Sequence, residues 1–89
     1  MPVSYGSAVD EHLHTRSQSS LFDVSHMGEI RVQGKDAGEF LEFVLTNTVK
    51  NVNSSRAIYS PFCREDGGTV DDLIVYKRSD VDYLLCVNA

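Results

Sequence analysis

The chain has 89 residues and a formal net charge of −5, and 42% of it is apolar. That length is one small domain or a piece of a larger one, and the apolar share is too high for a disordered segment. The acidic balance argues against nucleic acid as the main partner: residues 1–45 carry seven acids against three Lys/Arg (net −4), residues 46–89 six against five (net −1), and neither half has a basic patch.

A domain this small buries only about 60–65% of its unfolded surface, so its stability is marginal. No run of about 18 apolar residues marks a transmembrane helix. The opening MPVSYGSAVDEHLH has neither the basic nor the apolar region of a signal peptide. Cys63 and Cys86 sit in separate apolar runs without CxxC spacing. They read as two buried free thiols in a reducing compartment ahead of a disulfide, and a zinc site is not expected.

In chain order, Ser7-Ala8-Val9-Asp10 reads as a capping box, with a short helix following through about Arg16. RSQSS at 16–20 breaks it. LFDVSHM then places Leu21, Phe22, Val24 and Met27 in extended order, and Gly28 reads as a bulge or kink. EIRVQ at 29–33 alternates as a half-buried strand does. Ala37, Phe40, Leu41, Val44 and Leu45 form one apolar helical stripe, with Asp36 in the first turn where a carboxylate favours the dipole. NVNSS at 51–55 is a loop. Residues 56–63 read as a strand that Pro61 confines to an edge or a bulge. Asp66-Gly67-Gly68 supplies the positive φ values of a hairpin, 69–77 returns, Ser79-Asp80 turns again, and 81–87 is a third strand. The class is α+β: an antiparallel β-meander with one or two helices. Ending on an apolar strand at VNA, such a sheet is expected to need further chain or a homo-oligomer to cover one face.

GGTVDDLIVY, residues 67–76, holds the sharpest chemical question. Alternation puts Val70, Asp72, Ile74 and Tyr76 on one face and Asp71, Leu73, Val75 and Lys77 on the other. Asp72, if buried among its apolar neighbours, becomes a candidate general acid/base or a partner for a ligand amine. The alternative is that both acids bond to turn amides. Lys77 lies too far along the strand from Asp71 to pair. His26 reads as a packed, satisfied side chain. His12 and His14 face different sides of the first helix, Tyr59 reads as core ahead of a stacking platform, and Ser25 and Cys63 lack a base partner.

Four strings together, PVSYGSAVDEH (2–12), LFDVSHMGEIRVQGKDA (21–37), YSPFCREDGGTVDDLIVY (59–76) and YLLCVNA (83–89), resemble the N-terminal part of the glycine cleavage system T-protein, the aminomethyltransferase. The resemblance spans nearly the whole chain, 1–89 then being a partial folate-binding domain. It implies an enzyme that takes the aminomethyl group from the lipoyl arm of the H-protein, releases ammonia and passes the one-carbon unit to tetrahydrofolate. It assigns the family's essential aspartate to Asp72, folate-cavity tyrosines to Tyr59 and Tyr76, a cavity methionine to Met27 and a further folate neighbour to Asn88. A flat, largely apolar ligand suits an aromatic-lined site with one placed carboxylate.

The departures are His14-Thr15-Arg16 for the family's Ala-Val-Arg, Ser19-Ser20 for Ala-Gly, and Thr48 where Asp is frequent. Family members are several times longer, and most pterin-gripping residues come later in their sequences, so the isolated chain is expected to be inactive. A related folate domain (of a dimethylglycine or sarcosine dehydrogenase, a sulfoniopropionate demethylase or an iron–sulfur assembly factor) is the near alternative, disfavoured by VSYGSAVDEH. A non-catalytic, self-associating binding module is the distant one. Bacterial cytoplasm and mitochondrial matrix both suit the family.

Overall fold

A computed structural model describes residues 3–89, so Pro2, which opens the first of the four strings, lies outside the described residues. The elements run α1 (Ala8–Ser17), β1 (Gly28–Gln33), α2 (Ala37–Val44), β2 (Arg56–Cys63), β3 (Thr69–Ser79) and β4 (Asp82–Val87). All strands join one antiparallel sheet in the order β1-β4-β3-β2. The expected meander is β2-β3-β4. What alternation cannot foresee is that β1 returns to the far side of β4, a Greek-key arrangement whose long connection carries α2. No helix of the described residues is long and apolar enough to cross a membrane.

The core lies between α2 and one face of the sheet. Leu41, Val49, Val75 and Tyr83 are at most 1% exposed, and Leu73, Ile58 and Leu85 join them. The apolar stripe of α2 is rotated from its expected position. Phe40 is 53% exposed, and Gly38 takes its place against the sheet. A Cβ at Gly38 would sit 3.0 Å from the Tyr83 hydroxyl, so any larger residue would push that buried ring or the helix aside by a few tenths of an ångström. A count of apolar residues cannot register a core position that has no side chain.

Gly28 is the first residue of a regular strand and no bulge: it pairs with Val87, and an added Cβ would meet Val87 Cγ2 at 2.8 Å. The bulges lie instead between Phe62 and Cys63 and between Lys77 and Ser79. The edge assignment of β2 is correct, and the segment after α2 covers that edge. Leu45 bridges Phe62, Thr46 N donates to the Pro61 carbonyl (3.3 Å), and Asn47 Nδ2 donates to the Tyr59 carbonyl (3.1 Å). The fully buried Ser60 hydroxyl accepts from the amides of Thr46 (3.2 Å) and Asn47 (3.1 Å). The Glu42 carboxylate gathers the next turn, accepting from Val49 N (2.6 Å), Lys50 N (2.7 Å) and the Thr48 hydroxyl (2.8 Å). Burial pushes that carboxyl up, but these donors outweigh it and hold it below the usual range.

Lys77 is a buried cation, 3% exposed. Its Nζ pairs with Asp80 Oδ1 at 2.8 Å and donates to the Lys50 carbonyl at 2.7 Å, tying the β3–β4 turn to the loop after α2. α1 stands apart from the core, with no buried residue. Its Ser7 cap accepts from Asp10 N (3.1 Å), as expected, and Asp10 Oδ2 reaches back to Ser7, accepting from its hydroxyl (2.7 Å) rather than its backbone amide, while Glu11 accepts from Tyr5 N (2.7 Å).

Packing makes a stability contrast within one helix. Leu41→Ala should cost about 2–5 kcal/mol in urea unfolding, because it opens a cavity under the sheet. Phe43→Ala, at a position 89% exposed, should stay within about 0.5 kcal/mol of the parent.

Candidate functional site

Leu73, Val75 and Lys77 face the core, so alternation turns Val70, Asp72, Ile74 and Tyr76 to the open face of the sheet. The face-sharing set is as expected, and the condition of burial among apolar neighbours is not met: Asp72 is exposed. The reason is that α2 covers only one side. Tyr59, expected in the core, is 58% exposed on the same open face, opposite Ile74.

Three of the five expected site residues converge. β3 is central, so Asp72 has a neighbour on each side: Pro61 on β2, and the residue two steps beyond the Ile74–Cys86 pair of β4, which is Asn88. Tyr59 stands diagonal to Asp72, within reach of a long side chain. Its hydroxyl donates to Asp72 Oδ2 at 3.0 Å. Asn88 Nδ2 donates to Asp72 Oδ1 at 3.1 Å and to the Asp72 carbonyl at 3.0 Å. Tyr76 lies on the same face but about 13 Å along the strand at 3.3 Å per residue, and no hydrogen bond links it to Asp72 among those described. Met27 is half-buried and lies one residue before the Gly28–Val87 pair, beside Asn88 in the sheet order.

The adjacent acid has a different role. Asp71 accepts from Asn88 Nδ2 (2.6 Å), Asn88 N (3.1 Å) and Asp72 N (2.9 Å). The reading that both acids bond to turn amides therefore holds in kind for Asp71, with the amides of the β4 exit and of its own strand. Neither carboxylate is ion-paired with a Lys or Arg among the described residues. The Asn88 side chain holds the Asp71 carboxyl below the usual range; burial pushes the other way, and the backbone amides of Asn88 and Asp72 add to the lowering. The hydrogen bond to Asp72, then its charge, raises the Tyr59 phenol above its ordinary value.

The arrangement is a carboxylate steadied by two neutral donors, at the end of an open face floored by Tyr59, Ile74 and Tyr76. It can accept a hydrogen bond from a ligand N–H and present an aromatic floor to a flat molecule. The other candidates do not assemble. His26 is exposed in the turn before β1 rather than packed. Ser25 donates to Asp23 Oδ1 (2.6 Å) in a local turn. Cys63 and Cys86 are free but half-buried rather than buried. A cleft between α2 and the β3–β4 turn holds Lys50 and Lys77, each spent on an acid, Glu39 and Asp80.

The two shifted groups act at opposite ends of the pH range. Tyr59 holds its proton more tightly when folded, so its bond to Asp72 stabilises below the ordinary phenol range and is lost as pH rises through the raised value. Asp71 holds its proton less tightly, so its Asn88 bonds stabilise above the usual carboxylate range and are lost as pH falls through the lowered value. Asp72→Asn should return the Tyr59 ring-carbon titration, followed by NMR, to that of an ordinary tyrosine. A Tyr59 titration that stays high in Asp72→Asn would show that the carboxylate does not hold the phenol.

The GCVT N-terminal domain family model matches residues 1–89. The chain is 55% identical over 89 residues to an aminomethyltransferase of Oceanobacillus iheyensis, covering all of this chain and 24% of that protein. Its fold is similar to the crystal structure of glycine cleavage system aminomethyltransferase T from Bartonella henselae, with a TM-score of 0.85 and 39% identity over 90% of this chain and 22% of that one. The chain thus spans about a quarter of the length of these relatives. With all 89 residues of the chain matched by the family model and relatives named as aminomethyltransferases, the chain belongs to the GCVT N-terminal domain family of the glycine cleavage T-proteins.

Proposed function

We propose that residues 1–89 are part of the folate-binding domain of a tetrahydrofolate-dependent aminomethyltransferase. The complete enzyme takes the aminomethyl group from the lipoyl arm of the H-protein, releases ammonia and passes the one-carbon unit to tetrahydrofolate. Its place is the cytoplasm, or the mitochondrial matrix of a eukaryote. The observation that carries this reading is the convergence of Asp72, Tyr59 and Asn88 at the end of an open, aromatic-floored sheet face.

The donor set fits a reduced folate. A pterin is flat, carries N–H donors along its edge and suits stacking on Tyr59 or Tyr76, with Met27 as a soft apolar neighbour. Asp72 is the acid whose lone pairs remain for a ligand, and Tyr59 and Asn88 fix the plane in which it offers them. Its charge is set where positive charge develops on nitrogen as the carbon transfers, and there a preorganised carboxylate lowers the barrier. Asp71 is the more committed acid: its Oδ1 accepts two hydrogen bonds and its Oδ2 a third, and it stands on the core-facing side of the strand, away from the open face.

Calorimetric titration of the chain with folinic acid, a stable reduced folate, tests the reading. Asp72→Asn should weaken binding roughly ten- to hundredfold, the scale of one hydrogen bond to a charged group, and Asp71→Asn should weaken it less. Equal losses from the two variants would remove the assignment of Asp72.

A second reading is favoured by one observation. Ile74 and Tyr76 on the sheet, and Phe40 and Phe43 on α2, are 38%, 42%, 53% and 89% exposed. A self-associating, non-catalytic module would bury such surface against a second copy. Sedimentation velocity separates the two: a concentration-dependent dimer giving no heat with folinic acid supports the module, and a folate-binding monomer supports the enzyme.

A further inference from the structure

Asp71 accepts three hydrogen bonds where the Asp72 side chain accepts two, although Asp71 has no part in the proposed chemistry. Its partners explain why. Asn88 has two hydrogens on Nδ2. One goes to Asp71 Oδ1 at 2.6 Å; the other is shared between Asp72 Oδ1 at 3.1 Å and the Asp72 carbonyl at 3.0 Å. The Asn88 backbone amide is tied to Asp71 Oδ2 at 3.1 Å. Asp71 therefore grips Asn88 at two points, main chain and side chain. Rotating the amide by half a turn would set Asn88 Oδ1 against three acceptor oxygens, so only one orientation is tolerated.

We propose that Asp71 is a positioning residue: it clamps the Asn88 amide so that Asn88 holds one oxygen of Asp72 while Tyr59 holds the other. This rests on the reading of Asp72 as the ligand-facing carboxylate and extends it to a residue that touches no ligand. The clamp answers a physical difficulty. Two adjacent carboxylates at the end of one strand repel each other, and among the described residues no Lys or Arg is ion-paired with either. A primary amide with both hydrogens spent on the pair bridges them without neutralising either. The ligand side then has a defined polarity. With Nδ2 committed, Asn88 has only its Oδ1 to offer, so Asn88 and Asp72 both present acceptors. The group bound there must be a hydrogen-bond donor, an amine or ring N–H rather than a carbonyl or carboxylate.

The test needs no ligand for its first readout. In the 89-residue chain, the Hα–Hβ couplings of Asp72 report whether its χ1 angle is fixed. Asp71→Glu keeps the charge but moves the carboxylate one methylene away from the Asn88 amide, and Asn88→Ala removes the bridging donor without changing charge. The expected result is one fixed Asp72 rotamer in the parent and averaged couplings in both variants. Folinic acid binding should weaken by roughly three- to tenfold in Asp71→Glu, the scale of one neutral hydrogen bond. Unchanged Asp72 couplings in Asp71→Glu would overturn the proposal, even if its thermal midpoint falls, because Asp71 would then serve stability alone. If Asp71→Glu does not fold, Asn88→Ala decides in the same way: a fixed Asp72 rotamer there removes the clamp's function. Failure of the Asp72 reading looks different. Binding would be indifferent to Asp72→Asn while the Asp72 couplings still responded to Asp71→Glu.

Discussion

The register of β3 is the constraint on which the rest of the molecule depends. Leu73 and Val75, 5% and 0% exposed, point at Leu41 and the core under α2. Side chains alternate with a period of two, so a one-residue slip would send Asp72 and Ile74 into that core and expose Leu73 and Val75. Burying an unpaired carboxylate there is far costlier than any turn or loop adjustment. The apolar packing of one face therefore dictates where the polar chemistry of the other face stands. Because β3 is the inner strand between β2 and β4, the same register brings Tyr59 from one neighbour and Asn88 from the other to the same carboxylate.

The strands that supply those neighbours are held by polar groups that contribute no chemistry of their own. Buried Ser60 anchors the stretch of β2 that carries Tyr59 by accepting two amides from the segment leaving α2. Glu42 gathers the amides of the following turn, and buried Lys77 ties that loop to the β3–β4 hairpin that leads β4 back toward Asn88. Each buries a polar group only where donors or acceptors compensate it, as a low-dielectric interior requires. In a domain with so small a core, these few latches keep both neighbours of β3 in register.

The two acids of DDLIVY illustrate how sequence neighbours acquire opposite tasks. Asp71 shares the core-facing side of the strand with Leu73, and its oxygens are consumed by amides. Asp72 shares the open side with Ile74 and Tyr76 and meets only a phenol and an amide. The alternation of successive side chains between the two faces of the sheet separates a carboxylate spent on holding the chain from one left available to a ligand.

Much of this was legible in the chain itself. Strand alternation identified the company Asp72 keeps, Pro61 marked β2 as an edge, Gly67 marked the hairpin with its φ of +84°, and Ser7 marked the start of α1. These are local properties, set by the backbone preferences and period of the residues concerned. The sequence could not say which face of the sheet is covered, because that depends on where a distant helix lands. Hence Tyr59 proved exposed where a core place was expected, Asp72 did not meet the condition of burial set for it, and Phe40 gave its core place to Gly38. Nor could it reveal that β1 joins β4, that Lys77 finds Asp80, or that Asn88 bridges Asp71 and Asp72. Those are pairings across the sheet or around a turn, decided by register and close packing, which exist only once the chain has folded.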